Sequence, residues 1–76
     1  KTTIHFELIQ GGQITLKIYD LRGRLVKTLI KGVKPPGNYS INWNGTNAGG
    51  QVVAPGIYLY RLRVNNKTKT RSLVFQ

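Results

Sequence analysis

One histidine, His5, and two acids, Glu7 and Asp20, are all the imidazole and carboxylate side chains that 76 residues supply for acid–base chemistry or metal ligation. His5 and Glu7 lie two residues apart in "TIHFEL", so on an extended backbone their side chains share a face. A His-x-Glu pair offers a metal ion two ligands, and no further cluster in the sequence supplies a third. The pair is therefore expected to belong to an exposed polar face of an edge strand. Ser40 and Ser72 have no base near them in sequence, so only folding could bring one into reach. Paired-carboxylate chemistry would require Glu7 and Asp20 to meet, and Asp20 is better explained by a turn. The chain is expected not to be an enzyme, with no catalytic residue, no cofactor site and no metal site.

Three other patterns have chemical readings that fail on inspection. A phosphate loop needs a strand before it, a helix after it and a Lys-Ser/Thr pair, and none of these accompanies "NGTNAGGQ". Its asparagines lack a carboxylate to help hold calcium, so the glycines are expected to carry a wide loop between sheets. Asn38-Tyr39-Ser40, Asn44-Gly45-Thr46 and Asn66-Lys67-Thr68 fit the N-glycosylation pattern, a coincidence expected of an asparagine-rich chain. Trp43 could stack on a sugar ring if exposed, but a Trp on an alternating strand of a sandwich is expected in the core, with Tyr39 sharing its face. Tyr58 and Tyr60 are expected to be core residues with hydroxyls at the rim, leaving Tyr19 as the exposed aromatic.

The charge balance points outward. Twelve Lys and Arg against two acids give a net charge of +10, which attracts polyanions: nucleic acid, anionic lipid or acidic polysaccharide. Single-strand nucleic-acid binders interleave exposed aromatics with a basic groove, and here most aromatics read as buried, so nucleic acid is not the expected partner. No apolar run approaches the roughly 20 residues of a transmembrane segment. There is no cysteine for disulfides or thiolate metal sites. The chain starts at Lys1 without an initiating Met and is expected to be a piece of a longer protein.

Period-two alternation organises the chain. Ile4, Phe6 and Leu8 alternate with Thr3, His5 and Glu7, and Ile14, Leu16 and Ile18 with Thr15, Lys17 and Tyr19. Gln10-Gly11-Gly12 reads as a hairpin loop between those two strands. Asp20 to Gly23 reads as a turn, with Asp bonding its own backbone and Gly free to take positive φ. "RLVKTLI" also fits a helical stripe through Leu25, Val26, Leu29 and Ile30, but it is too short for a stable helix and is assigned as strand. Tyr39, Ile41 and Trp43 share a face of the next strand. On "IYLYRLRV", Tyr58, Tyr60, Leu62 and Val64 face one way, and Ile57, Leu59, Arg61 and Arg63 the other. Asn65-Asn66 suits a type I′ turn, and "KTKTRSLVFQ" forms the last strand. No internal repeat is evident. Six strands, or seven if Gln51-Val52-Val53 pairs, predict an all-β, Ig-like or fibronectin-III-like antiparallel sandwich.

Three stretches in this order, "ITLKIYDLRGRLVKTLI", "PGNYSINWNGTNAGGQVVAPGIYLYRLRV" and "KTRSLVFQ", resemble the C-terminal Ig-like module shared by flagellar hook-capping proteins and type IX secretion (type A) sorting domains. The matching positions are Tyr19, Asp20 and Gly23 at the first turn, then Gly37, Tyr39, Trp43, Asn44 and Gly45. Gly50, Val53, Gly56 and Tyr58 follow, and the close is basic then apolar. Asn44 and Asn47 stand where the family usually carries acids.

The resemblance implies one domain over residues 1–76, C-terminal in a longer exported bacterial protein, secreted or held at the cell surface after passing through the periplasm. Its implied role is sorting or surface attachment. Lys69, Arg71, Leu73, Val74 and Phe75 form the candidate strand read by the secretion machinery or an outer-membrane or cell-surface component. Alternatives are an accessory module for acidic polysaccharide or lipopolysaccharide, attached to an upstream catalytic or adhesive domain, and a hook-capping assembly domain. The candidate basic face comprises Arg61, Arg63, Lys67, Lys69 and Arg71, expected as like-charge neighbours across the last two strands. Such a stripe suits an anionic partner, but is more simply read as lysine and arginine keeping exposed strands from pairing edge to edge. Trp43, Tyr39, Tyr58, Asp20, Gly23, Gly45 and Gly56 are expected to be structural.

Overall fold

Six alternating segments become six strands in the computed structural model, which describes residues 2–76. They are β1 (Thr2–Leu8), β2 (Gly12–Tyr19), β3 (Leu25–Lys34), β4 (Gly37–Trp43), β5 (Gly56–Val64) and β6 (Lys67–Phe75). β1 and β4 make a two-stranded sheet, and a four-stranded sheet runs in the order β3-β2-β5-β6. Every pairing is antiparallel. β2 is flanked on both sides, and its inward Ile14, Leu16 and Ile18 are wholly shielded from solvent. The two sheets close on a core of Ile4, Leu16, Ile18, Trp43, Tyr58, Leu62, Leu73 and Phe75.

Several sequence expectations change here. The seventh strand is reduced to one isolated bridge, Thr46 to Val52, with Val52 exposed. Gln10-Gly11-Gly12 does not close a hairpin: β1 pairs with β4, so the loop crosses from one sheet to the other. Its glycines serve close approach, because a Cβ on Gly11 would lie 2.7 Å from the Lys34 carbonyl and one on Gly12 would strike the Asn65 amide. The β5–β6 hairpin forms, but only Asn65 takes positive φ (53°), whereas type I′ requires it at both central residues.

Tyr39 is half-buried and outside the main core, stacked on Phe6 at 5.2 Å. A short repeat also emerges. Pro36-Gly37-Asn38-Tyr39 and Pro55-Gly56-Ile57-Tyr58 each open a strand, and each tyrosine hydroxyl donates to the carbonyl four residues back, Pro35 and Ala54, at 2.5 Å. The device ties the entry of β4 and of β5 to the loop before it.

Candidate functional site

The outer face of the four-stranded sheet follows from register. β2 places Lys17 opposite Arg61, Thr15 opposite Arg63 and Tyr19 opposite Leu59. Across the next pairing Arg61 faces Thr70 and Arg63 faces Thr68. A shallow groove of about 430 Å³ runs over this face, lined in part by Lys17, Tyr19, Arg61, Arg63, Asn65 and Thr68, with no acid among its lining residues. The Arg61 guanidinium lies 4.7 Å above the Tyr19 ring, a cation–π contact that holds it despite Lys17 directly opposite. Arg61 Nε reaches Thr70 Oγ1 at 3.4 Å, and Arg63 Nε donates to the Asn65 carbonyl at 3.2 Å. Towards its other end the face turns apolar, with Leu25, Ile57 and Val74 all more than half exposed. Such a surface can hold an anionic or mixed partner, and the residues lining its groove include no histidine or carboxylate.

The basic face expected from sequence is divided by the fold. Lys67, Lys69 and Arg71 register with Val64, Leu62 and Tyr60, on the opposite side of the sheet from Arg61 and Arg63. The two-residue Asn65-Asn66 loop sets Val64 against Lys67, so odd-numbered residues of β6 share a face with even-numbered residues of β5. The like-charge pairs expected between these strands are therefore not formed. The three β6 cations are exposed at the margin of the sandwich. Lys67 and Lys69 border a second cleft of about 600 Å³, which Glu7, Leu8, Ile9 and Leu62 also line. This cleft went unseen in the sequence because it forms between β1 and the β5–β6 hairpin.

The candidate recognition strand is likewise split. Lys69, Arg71 and Val74 are exposed, whereas Leu73 and Phe75 are core residues. The Phe75 ring centroid lies 5.2 Å from that of Trp43, and the ring fills the space where Gly45 lacks a side chain. Trp43 is fully buried and donates its Nε1 hydrogen to the Thr46 carbonyl at 2.9 Å, so it offers no face to a sugar. Tyr58 packs edge-on against it at 5.2 Å. At the first turn, Asp20 Oδ1 accepts from the Arg22 and Arg24 amides and Oδ2 from Arg24 Nε, all at 2.9 Å, while Gly23 takes φ 85°. These bonds, chiefly that from the Arg24 amide, hold the Asp20 carboxyl below its usual value. Gly56 opens β5 with φ 150° and open space at its Cβ position.

Folding does bring a base to Ser40. His5 Nδ1 lies 2.8 Å from Ser40 Oγ across the β1–β4 pair. Two residues along, Thr3 Oγ1 donates to Asn42 Oδ1 at 2.7 Å, so both pairs are rungs of one exposed polar ladder. No acid bonds to His5 among the described residues' hydrogen bonds, and no three His, Cys, Asp or Glu among them gather as metal ligands. No helix among the described residues is long and apolar enough to cross a membrane.

The sequence model of the FlgD Ig-like domain matches residues 3–69. Among solved structures, FlgD from P. aeruginosa superposes with a TM-score of 0.66 at 21% identity, over 96% of this chain and 59% of that one. The chain thus spans 59% of the length of the FlgD chain it matches, and the likeness is one of fold. No curated protein matches the chain in sequence.

Proposed function

The chain belongs to the FlgD Ig-like domain family, and from that membership we propose that it is a non-catalytic assembly module of the flagellar hook-capping type, carried by a longer exported protein. The family match across residues 3–69 is the observation that carries this reading. Its surface is consistent with protein contact, since the outer face of the four-stranded sheet sets exposed Leu25, Ile57 and Val74 beside Lys17, Arg61 and Arg63. Sorting and surface attachment draw less support. A machine reading the last strand of the folded domain would meet Lys69, Arg71 and Val74, with Leu73 and Phe75 already committed to the core.

The test is removal of this domain from its parent protein in the organism that encodes it. Hook assembly is then scored by electron microscopy, and the parent protein is located by fractionation. Loss of hooks with normal export of the parent supports assembly. Intact hooks with the parent retained in the periplasm would instead support sorting.

A further inference from the structure

The four-stranded sheet ends in two free edges, and they differ. β3 carries two bulges, at the register shifts between Leu16/Lys17 and Ile18/Tyr19, and it runs into Pro35-Pro36. Bulges and prolines spoil an edge for further pairing. β6 is the opposite case: nine consecutive residues pair with β5 without a shift, from Lys67 to Phe75. Among the described residues, no strand pairs with its outer edge. One side-chain contact to its backbone comes from β1, where Thr2 Oγ1 donates to the Val74 carbonyl at 3.0 Å. Beyond that contact the edge opens beside the cleft bordered by Leu8, Ile9 and Leu62.

The side chains on this edge select what can join it. Lys67, Lys69 and Arg71 project on one face, followed on the same face by Leu73 and Phe75. The other face offers Thr68, Thr70, Ser72 and Val74. A second copy of the chain paired antiparallel along the whole of this edge would set Lys67 against Phe75, Lys69 against Leu73 and Arg71 against Arg71, so no β6 cation would meet an acid and one like-charge pair would form. Glu7 lines the cleft as its one acid, against Lys67 and Lys69, and Arg71 lies further along the same face of β6. We propose that β6 is a strand-addition site for an extended acidic segment of a partner protein, whose carboxylates alternate with small or apolar residues and face Lys67, Lys69 and Arg71. Main-chain hydrogen bonds to the free edge supply attachment, and the cation row supplies selectivity and orientation. The proposal rests on reading the domain as an assembly module and names the chemistry of its partner.

The probe is a synthetic nine-residue peptide alternating Glu with Val, compared with one alternating Lys with Val, at ~0.15 M salt, where nonspecific attraction is largely screened. Amide hydrogen exchange reads the edge directly. The expected result is saturable binding of the Glu-Val peptide alone, with slowed exchange confined to β6. Lys67→Glu/Lys69→Glu/Arg71→Glu should weaken it by about tenfold or more and transfer binding to the Lys-Val peptide. Trp43 fluorescence reports that the variant is folded, and Lys69→Glu alone, with a smaller change of the same sign, serves if the triple variant is not.

Failure to bind at that salt would overturn the proposal, as would binding without protection of β6 amides. So would binding lost in Arg61→Ser/Arg63→Ser but kept in the β6 variants, which would move the contact to the outer face and leave the assembly reading standing. Strand addition that persists while domain removal leaves hooks intact would count against the assembly reading instead.

Discussion

Gly45→Ala tests the packing that fixes the last strand. Gly45 holds φ 76°, and a Cβ built there would fall onto the Phe75 ring, 2.6 Å from Cε2 and closer to Cζ and Cε1. Two costs add. The left-handed conformation costs alanine about 1–2 kcal/mol. The ring can move only by giving up its seat beside Trp43, a displacement of the overpacking kind that costs about 1–3 kcal/mol. Together they reach roughly 2–5 kcal/mol, against a total stability of about 4–11 kcal/mol for a chain of this length. Gly50→Ala isolates the first cost, because Gly50 has φ 81° and nothing within 4 Å of its Cβ position. One kcal/mol shifts the melting temperature of a domain this size by about 4–8 °C, so Gly45→Ala should melt roughly 4–24 °C below Gly50→Ala. Thermal and urea unfolding followed by Trp43 fluorescence measures the difference. In a Phe75→Leu background, which lacks the clashing ring atoms, the two glycine variants should converge. Equal melting temperatures in the parental background would refute the seating of Phe75 against Gly45.

Three further outcomes are expected. Because folding lowers the Asp20 pKa, its turn contributes fully above the usual value of 3.8 and loses that contribution as pH falls through the lowered folded value. Asp20→Asn should flatten the acid limb of a stability–pH curve there, and an unchanged limb would count against the turn geometry. Tyr58→Phe removes a part-buried hydrogen bond to Ala54 and should cost about 1 kcal/mol, more than Tyr39→Phe at its exposed counterpart, by urea unfolding of both. Trp43 emission should be blue-shifted, resist acrylamide quenching and ignore added saccharides, because the ring is fully buried; a red-shifted, quenchable spectrum would contradict the core assignment.

Strand positions were legible because one face of each strand is buried. Ile14, Leu16 and Ile18 mark β2 by alternation alone, and their burial is complete. Partners were not legible, because a glycine loop suits a hairpin and a sheet crossover equally. Gly11 and Gly12 reveal which only through the backbone and side chains that approach them. The helix-like stripe at Leu25, Val26, Leu29 and Ile30 has a local cause. In the β2–β3 register, Val26 and Leu29 are the extra residues of two bulges, and each bulge shifts the alternation by one. A bulged strand and a short amphipathic helix can therefore present the same spacing. The two Pro-Gly-x-Tyr segments do not read as a repeat in the sequence, because what makes them one device is the hydroxyl that returns to the preceding loop.

The division of the basic face could have been deduced from β6 alone. Leu73 and Phe75 are its large apolar residues of odd number, and the core claims both. Alternation then commits Lys67, Lys69 and Arg71 to that same inward-facing side, whatever their charge. They reach solvent because they occupy the end of β6 that the shorter two-stranded sheet leaves open, beside the β1 cleft. Arg61 and Arg63 face outward because Tyr58 and Leu62 face in. One residue added to the Asn65-Asn66 loop would, in an otherwise unchanged register, unite all five cations on the outer face and expel Leu73 and Phe75 into water. Burial of those two side chains opposes that slip, so the demand for a core keeps the cations in two groups and leaves β6 as a basic edge.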